Sequence, residues 1–198
     1  NLKVCQHCGH HLRLSAPELL VMLFDDGAFE TTEVKSALHD PLKFRDQKKY
    51  ADRLKDSQHK TGRNDAIMVA QGRIDGMPAV AAVLDFAFMG GSMGIAVGEG
   101  LIAAAKMAKE RRAPLIVVTS SGGARMQEGI YSLMQMTRTP IAVEELRHVQ
   151  IVVGVAKNPV AAGVVVPPRF APHLPRLLAP DEAGLQRHAR GIGLPRPQ

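Results

Sequence analysis

The sequence predicts an α/β domain, and three observations carry that prediction. Strand-like stretches at Ala66–Ile74 and Ala79–Phe86 flank Asp75-Gly76, a dipeptide that favours hairpin turns. Leu115–Thr119 is a short β-branched run of the kind buried on both faces of a parallel sheet. The second and third of these strands each lead into a glycine turn, Phe88-Met-Gly-Gly-Ser-Met-Gly94 and then Ser120-Ser-Gly-Gly-Ala-Arg125, and a helical pattern follows each turn. A repeated succession of strand, glycine turn and helix describes a sheet with helices packed on it, whose ligands sit beyond the strand C-termini.

The elements follow in chain order. Residues 1–14 hold Cys5-Gln-His-Cys8-Gly9 with His10 and His11 and read as half of a zinc ribbon. A structural zinc needs four ligands, and no further cysteine lies downstream. Either a partner pair lies upstream of Asn1, or His7, His10 or His11 completes the site; two free thiols are the plain alternative. Ser15-Ala-Pro-Glu18 marks a helix start, with Ser at the cap, Pro just inside and Glu three residues later. Leu19, Leu20, Met22 and Leu23 form its apolar side, and Gly27 lies past its end. Asp40–Lys60 mixes charges of both signs with spaced apolar residues (Leu42, Tyr50, Leu54), which predicts that most of it is a surface helix closed by Gly62. Residues 15–65 are therefore read as a helical N-terminal segment and residues 66–165 as the core. Within the core, Gly94–Arg112 predicts a helix with basic residues in its last turn. A helix is expected from the second glycine turn through Met136, another over Pro140–His148, and a strand over Ile151–Val155. Beyond Val166 prolines and arginines crowd together and apolar periodicity vanishes, which predicts a disordered tail over 166–198. So abrupt a shift in composition also fits a change of reading frame.

Bulk properties narrow the function classes. The chain has 198 residues, a net charge of +6 and a pI near 9.6, which suits an anionic ligand such as a phosphate-bearing cofactor or nucleic acid. The basic residues are scattered rather than clustered, as on an ordinary solvated surface. The apolar runs are too short to cross a bilayer. No signal peptide is visible, and a start at Asn1 rather than Met suggests a fragment. Two cysteines three positions apart argue for a reducing compartment rather than a disulfide framework.

Two chemistries compete for the glycine turns. Gly90-Gly91-Ser92-Met93-Gly94 fits the G-x-S-x-G elbow of a serine hydrolase. That chemistry needs an acid and then a histidine downstream. The options are Glu144 or Glu145 before His148, inside one predicted helix, and Asp181 before His188, in the tail. Neither forms a well-supported triad with Ser92. The other reading rests on backbone. Gly90, Gly91, Gly94, Gly122 and Gly123 can adopt conformations closed to other residues and leave room for a ligand. N–H groups at such turns, with a helix start behind them, can stabilise a developing oxyanion without any reactive side chain. Tight turns with no further role are the bland alternative, and two in succession favour a site. Phosphate-loop and dinucleotide-binding signatures are absent. Arg125, expected in the first helical turn after the double glycine, either meets a phosphate or pairs with Glu128. Met126, Met134 and Met136 either line an apolar groove or belong to the core.

Taken together, Cys5-Gln-His-Cys8, Leu42-Lys-Phe-Arg-Asp46 with Lys49-Tyr50, Asp85–Gly94, and Ser120–Glu128 with Leu133-Met-Gln-Met136 resemble the carboxyltransferase β subunits of multi-subunit acetyl-CoA carboxylase. The resemblance runs from about Val4 to Leu146. It implies a crotonase-like fold of repeated ββα units, here partial, with the remnant of a zinc ribbon. It implies transfer of a carboxyl group from carboxybiotin on a carrier protein to acetyl-CoA, giving malonyl-CoA for fatty-acid synthesis. The partners implied are a carboxyltransferase α subunit and the biotin carboxyl carrier protein, in the cytoplasm or plastid stroma. By the same resemblance Gly122 and Gly123 form an oxyanion hole, Gly90, Gly91 and Gly94 shape the wall beside it, and Cys5 and Cys8 are two of four zinc ligands; Arg125 and Gly163 are counted with the substrate-binding residues. The family's Thr-x-Gly-Gly-Val turn is replaced by Pro159-Val-Ala-Ala-Gly163-Val164, and residues 165–198 do not match the family's long second half. A truncated chain is therefore expected. A zinc-ribbon nucleic-acid-binding module and a Ser92 hydrolase are the alternatives.

Overall fold

The computed structural model describes residues 5–8, 10, 12, 14–34, 40–146 and the backbone of 151–155. Gly163, His148, Asp181, His188 and the whole 166–198 tail lie outside the described residues.

Apolar alternation builds the sheet and decides which face each helix covers. The strands are β1 (Phe29–Thr32), β2 (Ile67–Ile74), β3 (Met77–Leu84), β4 (Leu115–Thr119) and β5 (Ile151–Val155), and they lie side by side in chain order. The β1–β2 and β2–β3 pairs are antiparallel; β3–β4 and β4–β5 are parallel. Asp75 and Gly76 both have positive φ (52° and 73°), the geometry of the hairpin turn whose twist matches that of its strands. On β3, Val80, Ala82 and Leu84 join one buried cluster while Ala79, Ala81 and Val83 join the other. Both faces of the sheet are thus covered, which is why β3 and β4 read as continuous apolar runs.

The first cluster packs against α3 (Ile95–Arg111) through Val97, Ala104, Ala105 and Ala108. The second packs against α1 (Ala16–Leu23) through Ala16, Leu20 and Leu23. Small alanines on α3 let that helix approach the sheet closely. The start of α1 follows the expected cap: the Glu18 carboxylate accepts from the Ser15 N–H (2.9 Å) and hydroxyl (2.8 Å). Asp85, at the end of β3, anchors that start from within the core. It accepts from the Ala16 N–H (3.4 Å) and pairs with Arg63.

The surface helix is α2 (Tyr50–Thr61), closed by Gly62 in the left-handed region (φ 68°) as foreseen. It does not reach back to Asp40, because Asp40 and Lys43 have positive φ and an Arg45–Lys49 bridge turns the chain. After the second glycine turn there is a short 3-10 turn at Met126–Glu128. A break at Gly129 (φ 53°, ψ −126°) then separates it from α4 (Ile130–Glu144). The two helices expected up to Met136 and from Pro140 are this one helix. Pro140 sits within it at an exposed position, where a missing N–H is tolerated most easily.

Candidate active site

The two glycine turns meet beyond the C-terminal ends of β3 and β4, because those strands are parallel neighbours. Backbone bonds lock them together. Gly122 N–H donates to Gly90 C=O (2.9 Å), Met93 N–H to Gly123 C=O (2.8 Å), and Arg125 N–H to Met93 C=O (2.9 Å). Gly90 (φ 67°), Gly91 (φ 64°) and Gly123 (φ 119°) all take positive φ. At Gly91 the requirement is also spatial, since a Cβ there would collide with the Ser120 carbonyl group. At Gly123 a Cβ would meet nothing within 4 Å, so the turn faces open space.

The N–H groups at the second turn are not equivalent. That of Gly122 is committed to Gly90. That of Gly123 donates to the Ser121 hydroxyl (3.0 Å), a rotatable partner that a ligand can displace. The helix-dipole expectation applies to only one turn. α3 starts directly after Gly94, its N-cap, whereas α4 starts only at Ile130. The free end of α3 is itself occupied, because the Glu128 carboxylate accepts from Ile95 N–H (2.6 Å). Gly94 is glycine for the same reason: a Cβ would lie 2.7 Å from both Glu128 carboxylate oxygens.

Beneath the turns lies a buried polar cluster that sequence reasoning missed. Arg125 is fully buried. Its guanidinium makes a paired contact with Asp65 (2.8 and 2.6 Å), donates to the Tyr50 hydroxyl (3.1 Å), and reaches the Ser92 hydroxyl (3.1 Å) and carbonyl (2.8 Å). Phe88 lies under it at 5.7 Å. Tyr50 donates in turn to Glu128 (2.5 Å), which also stands 3.5 Å from Arg125. Burial alone would lower the Arg125 pKa, but hydrogen bonds to and the charge of Asp65 outweigh it and hold the guanidinium firmly charged. Burial, reinforced by Glu128, pushes the Tyr50 phenol above its usual range, so it stays a donor.

This cluster revises two candidates. Arg125 is neither in a helical turn nor exposed to a ligand phosphate. Asp65 is its principal partner and Glu128 a secondary one. The Ser92 hydroxyl oxygen accepts a hydrogen bond from Arg125, a permanent cation that cannot take the serine proton as a nucleophile's base must. Of its proposed acids, Glu145 pairs instead with Lys109 (3.1 Å) on the surface. Of the three methionines, all are exposed: Met126, Met134 and Met136 lie outside the core.

Cys5 and Cys8 flank a short turn, with Cys5 N–H donating to His10 C=O (2.7 Å). Both are free thiols. Backbone N–H groups of Cys8 and His7 lower the Cys5 pKa. Among the described residues no third Cys, His, Asp or Glu joins them in a cluster that could hold a metal.

Residues 25–170 match the carboxyl transferase domain family. The chain belongs to that family. The match extends past Leu146, where the sequence resemblance was placed. A carboxyl transferase chain named acetyl-coenzyme A carboxylase carboxyl transferase subunit beta, from Mesorhizobium japonicum, is 49% identical over 165 residues, covering 83% of this chain and 54% of that protein. The protein of the same name from Methylocella silvestris is 50% identical over 165 residues, covering 83% and 57%. This chain spans about half the length of the curated relatives it matches. Among solved structures, transcarboxylase 12S superposes with a TM-score of 0.54 at 28% identity, over 71% of this chain and 24% of that one. A Pseudomonas malonate decarboxylase MdcD–MdcE heterodimer gives 0.51 at 24% identity, over 72% and 51%, a likeness of fold alone. The fold is the crotonase-like one, with β2, β3 and α3 forming a ββα unit.

Proposed function

We propose that this chain is a carboxyltransferase β-type subunit that moves a carboxyl group from carrier-bound carboxybiotin to acetyl-CoA, giving malonyl-CoA. The observation that carries this reading is the pairing of the Gly90–Gly94 and Gly122–Gly123 turns at the ends of two parallel strands, in a chain whose relatives bear that name. Acetyl-CoA must lose a methyl proton and pass through an enolate-like state. The negative charge develops on its thioester oxygen, and N–H donors fixed in advance lower that barrier. Gly123 is the donor a ligand can claim, by displacing the Ser121 hydroxyl; Gly122, tied to Gly90, holds the turn in place. Gly90, Gly91 and Gly94 shape the adjoining wall, and Gly163 would belong to a further turn. A carboxyltransferase α subunit and a biotin carboxyl carrier protein are the partners, in the cytoplasm or plastid stroma. No described helix is long and apolar enough to cross a membrane.

Zinc fits in part. Cys5 and Cys8 lie on one turn whose N–H groups favour the Cys5 thiolate, as a thiolate ligand requires. They supply half of a tetrahedral structural site, and such an ion would brace the N-terminal segment. The nucleic-acid reading has only the Cys5–Cys8 turn and scattered basic charge in its favour, and the Ser92–Arg125 contact weighs against the hydrolase.

The test is malonyl-CoA formation by this chain with an α subunit and carboxylated biotin. Product above the α-subunit blank is expected. No product, where a full-length β subunit gives product, would refute the assignment of activity to this chain.

A further inference from the structure

We infer that Asp65 and Tyr50, both from the N-terminal segment that precedes the core, are positioning residues that set the Gly122–Gly123 turn through Arg125. This rests on the carboxyltransferase reading above.

The geometry runs in one unbroken path. Arg125 stands two residues after Gly123, and its own N–H is fixed to Met93 C=O, so shifting Arg125 moves the turn. Its side chain is held at both terminal guanidinium nitrogens by Asp65, which precedes β2, and at one of them by Tyr50, the first residue of α2. The same guanidinium grips Ser92 at both hydroxyl and carbonyl, so it ties the first turn to the second. Tyr50 passes the restraint on to Glu128, which closes the N-terminus of α3 through Ile95 N–H. Five side chains from four separate stretches therefore converge under two backbone turns. Arg125 and Tyr50 are both almost wholly shielded from solvent. A buried cation with a two-point carboxylate partner has one low-energy arrangement, whereas backbone bonds alone leave a glycine turn free to rock. The catalytic consequence is alignment, because displacing a donor by about 1 Å can cost on the order of a hundredfold in rate.

Asp65→Asn keeps the shape and removes the charge. Tyr50→Phe keeps the ring and removes the link between Arg125 and Glu128, and it serves as the milder second variant if Asp65→Asn folds poorly. Each is compared with the wild-type chain in two measurements. The first is amide hydrogen exchange across residues 120–125, with the β2–β3 hairpin as internal standard. The second is malonyl-CoA formation with the α subunit and carboxylated biotin, resolved into kcat and the KM for acetyl-CoA. The expected result is exchange at 120–125 faster by about tenfold with the hairpin unchanged. With it, kcat should fall by about ten- to a hundredfold at near-constant KM. Unchanged exchange at 120–125 overturns the inference. So does faster exchange shared equally by the hairpin, which marks general loosening, or an unchanged kcat despite local loosening. A wild-type chain that forms no malonyl-CoA removes the carboxyltransferase reading and the catalytic role with it, while the exchange data still decide whether Asp65 and Tyr50 set the turn.

Discussion

Replacing Gly91 by alanine separates conformation from contact. Gly90 and Gly91 are neighbours with nearly the same positive φ, 67° and 64°. Placing a Cβ in that region costs roughly 1–2 kcal/mol at either position. The two then diverge. A Cβ at Gly90 meets nothing within 4 Å, whereas one at Gly91 overlaps the Ser120 carbonyl oxygen and lies 3.0 Å from its carbon and 3.2 Å from Ser121 Cα. Comfortable carbon–carbon contact is about 3.5–4.0 Å, so the Ser120–Ser121 backbone must retreat by on the order of 1 Å. Such overpacking typically adds about 1–3 kcal/mol. Gly90→Ala should therefore cost about 1–2 kcal/mol and Gly91→Ala about 2–5 kcal/mol, measured as the shift in urea unfolding of each variant against wild type. The retreat also moves the Gly122–Gly123 turn, so Gly91→Ala should lose more carboxyltransferase activity than Gly90→Ala, up to about a hundredfold. Equal stability and equal activity in the two variants would refute the steric reasoning, because the backbone penalty they share would then be the whole effect.

Other perturbations probe different parts of the molecule. Ser92→Ala removes one of several bonds to Arg125 and should cost about 1–2 kcal/mol. Carboxyltransferase activity should change by only a few-fold and a serine-directed acylating probe should leave Ser92 unlabelled; labelling of Ser92 would restore it as a nucleophile. Asp85→Ala strands Arg63 beside the α1 start and should cost about 3 kcal/mol in urea unfolding, near the low end for a broken buried pair because Arg63 keeps some solvent contact. A loss below about 1 kcal/mol would show that the pair contributes little. Tyr50 should resist ionisation. Its folded pKa is raised, so its contribution to stability is full below about pH 10, the ordinary tyrosine value, and is lost as pH rises beyond it. Phenolate absorbance of a Tyr131→Phe variant reports Tyr50 alone, and a transition near pH 10 in the folded protein would contradict its burial against Glu128.

What could be read in the sequence was whatever local chemistry decides. Asp75-Gly76, Ser15 with Glu18, Gly62 and the two glycine turns are short-range signals, and each marks a feature found in the fold. The family motifs pointed to the crotonase-like architecture for the same reason, being contiguous. The Arg125 cluster could not be read this way. Its bonds to Asp65 and Tyr50 span 60 and 75 positions, and no periodicity connects such residues. Arg125 read as a ligand-binding cation because burial is invisible at a glycine-rich turn. One signal was available: Lys49-Tyr50 and Arg125–Glu128 both belong to the motifs that carry the resemblance, yet Tyr50 has no role in the sequence reading and Glu128 enters it only as one alternative partner of Arg125. Pro140 misled in the other direction. The local rule that proline starts or ends a helix yielded to the continuity of α4, whose proline faces outward.

Gly123 offers the most direct measurement. Its N–H has only a displaceable partner, and the position of its missing Cβ is open. At φ 119° a side chain is strained even in open space, so Gly123→Val should turn the Gly123 N–H out of line, with the core strands left intact. With α subunit and carboxylated biotin present, malonyl-CoA formation should fall by on the order of a hundred- to a thousandfold, the usual cost of losing an oxyanion donor. A Gly123→Val chain that forms malonyl-CoA at the wild-type rate would contradict the oxyanion role of this turn.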